Sequence, residues 1–295
     1  MGRTILDGGM GRELKRIGAP FKQPEWSALA LMEAPGIVVD VHRSFIDAGA
    51  EVITSNNYAV VPFHLGDEVF KHDGRRLTAL SGELARKAAD SAAADGLPSV
   101  KVGGSLPPLS GSYRPDRFKR EVADACYPLI VEALDPYVDL WQAETIASLA
   151  EAEAVAAAIQ HSEKPFWLSF TLIDDPRLDE PQLRSGESLI DALAFAADAG
   201  AEAMLFNCCL PEVIGQAIAT VAPNRDSRAP DLQLGGYGNA FTPRGEDAEA
   251  NSDEAQMRSE ITPAHYASMV RQWEAAGGSI FGGCCGIGPE YIACL

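Results

Sequence analysis

Phe45-Ile46-Asp47-Ala48-Gly49-Ala50-Glu51-Val52-Ile53 reads as a helix end, a glycine turn and the start of a buried strand. Ala196-Ala197-Asp198-Ala199-Gly200-Ala201-Glu202-Ala203-Met204-Leu205 repeats the pattern, and Trp273-Glu274-Ala275-Ala276-Gly277-Gly278-Ser279-Ile280-Phe281 repeats it again. In each, glycine can take the left-handed conformation that ends a helix, and a short apolar run follows. A joint of this kind recurring across the whole chain predicts one α/β architecture.

Working outward from these joints gives eight short strands, near residues 3–7, 51–56, 100–105, 137–143, 166–172, 203–208, 232–237 and 279–283. Helical segments fall between them, at about 36–48, 75–94, 117–134, 146–161, 187–199, 211–221 and 263–276. Strands alternating with helices over this length predict an α/β fold of the (β/α)8 TIM-barrel type. An open doubly wound sheet is the competing arrangement. Gly8-Gly9-Met10-Gly11 lacks the Gly-x-Gly-x-x-Gly spacing that would open such a sheet. Only Pro289 to Leu295 follow the last strand, so the final helix is short. Two irregular stretches, Leu106 to Asp116 and Asn239 to Glu260, follow the third and seventh strands. In a barrel they are βα loops on the catalytic face, although long surface loops are also simply tolerated.

The chain has 295 residues, 24 Lys+Arg against 42 Asp+Glu, and a formal net charge of -18. A charge of that sign argues against a nucleic-acid partner and against electrostatic binding to anionic membranes. The apolar runs are far shorter than the ~20 residues a spanning helix needs. Met1 leads directly into Arg3-Thr4-Ile5-Leu6-Asp7, without the regions of a signal peptide. A cytoplasmic protein is expected.

Six cysteines in a chain of this length are no disulfide scaffold, and no Cys-x-x-Cys is present. Their placement is more informative. Asn207-Cys208-Cys209 and Gly282-Gly283-Cys284-Cys285-Gly286 each follow a short apolar run at the carboxyl end of a predicted strand. Strands six and eight are two apart around a barrel, so their tips can share one ion. Thiolates suit zinc, and the flanking glycines let adjacent side chains turn to the same side. The competing reading is that a cysteine is a small buried hydrophobe. Three thiolates with one open position would bind a substrate thiol and deprotonate it. Cys126 and Cys294 read as structural.

The motifs Leu6-Asp7-Gly8-Gly9-Met10-Gly11-Arg12-Glu13-Leu14, Gln142-Ala143-Glu144-Thr145, Asn207-Cys208 and Gly282-Gly283-Cys284-Cys285-Gly286 resemble, in order and over nearly the whole chain, the homocysteine S-methyltransferase family. The resemblance implies one homocysteine-binding (β/α)8 barrel domain over 1–295 that converts homocysteine to methionine. It implies a Zn2+ cofactor held by Cys208, Cys284 and Cys285, with Cys209 a neighbour packed behind the site or a substitute ligand. It implies that Asp7 and Glu144 hold the amino group of homocysteine. Without it, Asp7 would read as a turn cap and Glu144 as a surface carboxylate at a helix start.

The sequence departs from the family pattern in Gly103-Gly104-Ser105-Leu106-Pro107-Pro108-Leu109 and in Gly286-Ile287-Gly288-Pro289. These changes touch the donor side. The tail is too short for the dimerisation arm of betaine-dependent members, so a monomer or weak homo-oligomer is expected. The partners are then small molecules, homocysteine and a methyl donor. S-methylmethionine is the first choice of donor. Tyr58, Trp141, Phe170 and Tyr237 are candidate aromatic faces for its cation. The alternatives are a thiol-dependent demethylase of another methylated small molecule, betaine-like, and a non-catalytic zinc-binding barrel.

Overall fold

A computed structural model describes residues 2–243, 245 and 256–295. Much of the loop expected at 239–260 therefore lies outside the described residues.

The three joints form as their sequences predict. Gly49, Gly200 and Gly277 have φ of 105°, 71° and 110°. The amide after each glycine donates five residues back, Ala50 to Phe45 O, Ala201 to Ala196 O and Gly278 to Trp273 O. The glycine amides themselves donate to Ile46 O, Ala197 O and Glu274 O. This is the Schellman pairing, which satisfies the last helical carbonyls. One residue further on, Glu51 N bonds Ile5 O, Glu202 N bonds Phe166 O and Ser279 N bonds Leu234 O. Each turn thus delivers the chain into the sheet.

Eight parallel strands result among the described residues: β1 (Thr4–Ile5), β2 (Val52–Thr54), β3 (Lys101–Leu106), β4 (Leu140–Ile146), β5 (Phe166–Phe170), β6 (Ala203–Asn207), β7 (Gln233–Gly238) and β8 (Ile280–Gly283). Their order is β1-β8-β7-β6-β5-β4-β3-β2. A parallel Leu6–Val52 bridge and the Asp7 N to Val52 O bond join β1 to β2 across the remaining gap. The fold is a (β/α)8 barrel, with a short last helix at Pro289–Ile292 as expected.

The described residues form eleven helices around the barrel and in its loops: α1 (Met10–Arg16), α2 (Ala28–Glu33), α3 (Pro35–Asp47), α4 (Pro62–Leu65), α5 (Asp67–Ala94), α6 (Arg120–Leu134), α7 (Leu149–Ile159), α8 (Leu189–Asp198), α9 (Pro211–Arg228), α10 (Pro263–Ala275) and α11 (Pro289–Ile292). Helix α7 starts at a capping box: Ser148 Oγ accepts from Glu151 N, and Glu151 Oε2 accepts from Ala147 N.

The boundaries of three elements differ most from the sequence expectation, and three short helices are additional. Strand β4 runs three residues later than 137–143, because its register shifts between Ala143 and Ile146 and Thr145 takes φ 60°. Helix α5 begins at Asp67 instead of 75. Gly74 lies inside it, with the Phe70 ring filling the place where a side chain would stand. Helix α9 passes through Pro223 to Arg228. Helices α1, α2 and α4 were not anticipated; they are short and sit in the loops after β1 and β2.

Candidate functional site

The carboxyl ends of the strands converge on one cavity. Cys208 directly follows β6 and Cys284-Cys285 directly follow β8, with β7 between them. The three sulfurs lie within 4.8 Å of one another, with 3.9 Å between Cys208 and Cys285. Backbone bonds hold each segment. Cys208 N donates to Tyr237 O and Cys284 N to Gly238 O, so both thiol segments are tied to β7. Gly286, at φ 85°, turns the chain after the cysteine pair. Gly9 lets the first loop lie against that turn: a Cβ there would stand 2.4 Å from Cys284 O.

Three thiols this close do not ionise together. Hydrogen bonding with Cys208 and Cys285, then burial, pushes the Cys284 thiol well up. A cation among the sulfurs reverses that balance, because coordination removes the thiol proton. The donor set therefore fits a soft or borderline metal ion. Cys209 is fully buried in the main core and stands outside the cluster, a neighbour behind the site.

Two carboxylates face the same cavity. Asp7, just beyond β1, accepts from Thr54 N at 2.8 Å and from Thr54 Oγ1 at 3.1 Å. Burial raises its pKa to about 7 against those two bonds. Glu144, near the end of β4, accepts from Ser105 Oγ. Burial first, then the charges of Asp7 and Cys208, raise its pKa to about 8. Two acids held this way are poised to ionise around an ammonium group and to hold protons without one.

Among the described residues, four non-glycine positions have positive φ: Trp26 (52°), Tyr113 (67°), Thr145 (60°) and Cys208 (52°). All four line this cavity. Conformations of this kind cost of order 1–3 kcal/mol each and gather where the surrounding structure holds them for a purpose.

The aromatic expectations divide. Tyr58 and Tyr237 line the cavity. Trp141 instead donates its indole N–H to Ser162 on the helical side of the sheet, and Phe170 is packed in the main core, so neither faces the site. Trp26 was missed. It packs edge-on against Tyr58, with centroids 6.2 Å apart, and stacks on His64. Lys22-Gln23-Pro24-Glu25-Trp26 carries no strand or helix periodicity that would place an aromatic residue at a strand end. The loop expected at 106–116 does reach the cavity, through Ser112 and Tyr113. Ser112 Oγ bonds Tyr58 Oη at 2.5 Å, and Tyr113 Oη lies 2.9 Å from Cys208 Sγ.

Fold and site together define a thiol-centred (β/α)8 barrel with a buried, acid-lined pocket at its catalytic end. The chain belongs to the homocysteine S-methyltransferase family, whose model matches residues 4–295. It is 30% identical to a homocysteine S-methyltransferase of Escherichia coli, over 99% of this chain and 93% of that protein. It is 27% identical to a selenocysteine methyltransferase of Astragalus bisulcatus, over 98% of this chain and 90% of that one. Among solved structures it superposes on the metallated form of the homocysteine methyltransferase MmuM from Escherichia coli with a TM-score of 0.80 and 28% identity, covering 100% of this chain and 96% of that one.

Proposed function

We propose that this protein transfers a methyl group from a sulfonium donor, S-methylmethionine, to the sulfur of homocysteine, with a zinc ion held by Cys208, Cys284 and Cys285. The observation that carries the reading is the convergence of three cysteine sulfurs within 4.8 Å in a cavity that also holds two buried carboxylates. Three protein ligands are the pattern of sites that keep a position open. A zinc ion held by these residues would supply Lewis acidity that favours the ionised form of the acceptor thiol, whose free pKa is about 8.5.

The chain's own residues do the rest. Asp7 and Glu144 take the acceptor's ammonium group, and Thr54 and Ser105 fix the two carboxylates in place. An ammonium between them restores the charge that burial suppresses. Trp26 and Tyr58 offer ring faces to a cationic donor on the same cavity wall. The methyl carbon bonds to the acceptor sulfur as its bond to the donor sulfur breaks, and the electron pair leaves with the donor. With S-methylmethionine both products are methionine, and one proton is released overall. Positioning supplies much of the rate, because no further base is required once the acceptor is a thiolate.

The test is purified protein, zinc, and a panel crossing homocysteine and selenocysteine with S-methylmethionine and glycine betaine. Methionine from homocysteine and S-methylmethionine is expected. No methionine from any donor would sink the assignment.

A further inference from the structure

Tyr113 stands where two cavities meet. It lines the thiol site on one side. On the other it lines a second cavity of about 1050 Å³, walled by Arg114, Asp174, Arg177 and Arg184. We propose that Tyr113 is a positioning residue of the thiol site: its hydroxyl donates a hydrogen bond to the Cys208 sulfur and fixes that sulfur's direction and charge toward a bound metal. The inference rests on the reading of the cysteine cluster as a metal site.

Cys208 needs such a partner more than the other two thiols. Cys284 and Cys285 share one turn, whereas Cys208 comes from a different strand and has a left-handed backbone. Tyr113 Oη lies 2.9 Å from Cys208 Sγ, and the tyrosine is buried. A thiolate bound to metal has lone pairs to accept with, and a phenol has a proton to give. The loop that carries Tyr113 is anchored at both ends. At its stem Tyr127 Oη donates to Pro107 O, and at its tip Ser112 bonds Tyr58. The Arg184 guanidinium carbon lies 5.5 Å from the centroid of the Tyr113 ring. A positive charge over the ring draws electron density from the phenol and strengthens its O–H as a donor. Partners that hydrogen-bond to metal ligands typically change metal affinity about 10–100-fold.

The experiment uses the full-length protein with Tyr113→Phe, which removes the hydroxyl and keeps the ring. Zinc affinity is measured by competition with a chromophoric chelator. The cobalt-substituted protein is examined for its sulfur-to-metal charge-transfer band. About 10–100-fold weaker zinc binding is expected. The band should move to lower energy, because a sulfur relieved of its hydrogen bond gives up electrons more easily. Tyr127→Phe is the control: it loosens the loop stem, and should lower the thermal midpoint while leaving affinity and band where they were. The proposal is overturned if Tyr113→Phe binds zinc within about threefold of the parent with an unmoved band. It is equally overturned if Tyr127→Phe reproduces the band shift. Failure of the parent protein itself to bind zinc overturns the metal-site reading and the inference with it. A parent that binds zinc beside an unaltered Phe variant overturns the inference alone.

Discussion

Asn207 grips Thr145 with both ends of its amide: Oδ1 accepts from Thr145 N at 2.7 Å, and Nδ2 donates to Thr145 Oγ1 at 2.9 Å. Asn207 immediately precedes Cys208, and Thr145 immediately follows Glu144. Thr145 and Cys208 both have positive φ. One buried amide therefore clamps the strand end that carries a thiol to the strand end that carries a carboxylate.

Replacing Asn207 with Ala leaves the Thr145 amide buried without its partner, which costs about 1–3 kcal/mol. Calorimetric unfolding should register that loss. Because the clamp serves both strands, zinc affinity and methionine affinity should weaken together. A variant that loses stability while keeping both affinities would show that the clamp is structural only.

The proposed placement of the ammonium group between Asp7 and Glu144 predicts a pH dependence for amino-acid binding. Their folded pKa values, about 7 and about 8, lie above the ordinary carboxylate range. An ammonium ligand requires them ionised, so binding releases protons at neutral pH. Affinity for methionine, which has no thiol to titrate, should rise with pH between 6 and 8, by up to about tenfold per unit for each group. Calorimetry in buffers of different ionisation enthalpy measures the released protons directly. A flat affinity with no proton release would contradict this placement of the ammonium. The same raised values mean that stability from these two groups is full below the ordinary carboxylate values of 3.8 and 4.5, falls as pH rises above them, and is lost by about 7 to 8.

His42 sets the opposite limb. It is fully buried in α3, and neither ring nitrogen has a hydrogen-bond partner. Burial lowers its pKa from 6.5 to about 3. Stability from this residue is present above the unfolded value and is lost as pH falls below it, at about 1.4 kcal/mol per unit. His42→Leu should therefore lose about 2 kcal/mol less than the parent between pH 6.5 and 5 in denaturant titrations. Parallel stability curves for the two proteins would refute the assignment.

Two glycine substitutions separate close approach from backbone freedom. Gly9→Ala places a methyl 2.4 Å from Cys284 O and 3.2 Å from the Cys285 Cα. It should destabilise by about 1–3 kcal/mol and weaken zinc binding. Gly36→Ala, in the first turn of α3, meets nothing within 4 Å. It should stabilise by about 0.4–1 kcal/mol. Similar thermal midpoints for the two variants would contradict the account of the Gly9 contact.

The barrel was legible because its signal is local. The Gly49, Gly200 and Gly277 joints contain helix end, turn and strand start within ten residues, and each forms as read. The clustering of Cys208 with Cys284 and Cys285 was legible for the same reason, because the single cysteine and the pair each follow an apolar run at a strand end. What escaped depends on contacts remote in sequence. The late end of β4 follows from the Asn207 clamp on Thr145, 62 residues away. Trp26 reaches the cavity through packing on Tyr58 and His64, which no periodicity encodes. Trp141 and Phe170 show the converse: an aromatic residue in a strand points inward or outward by register, and proximity to a strand end does not decide which.

The central claim is metal-dependent methylation of homocysteine at the three-thiol cluster. Its most direct measurement is zinc content and methionine formation from S-methylmethionine and homocysteine, made side by side on the parent protein and on Cys284→Ser. The account predicts one zinc per chain with methionine production for the parent, and loss of both in the variant. Methionine production by Cys284→Ser at the parental rate, or a parent that turns over without bound metal, would contradict it.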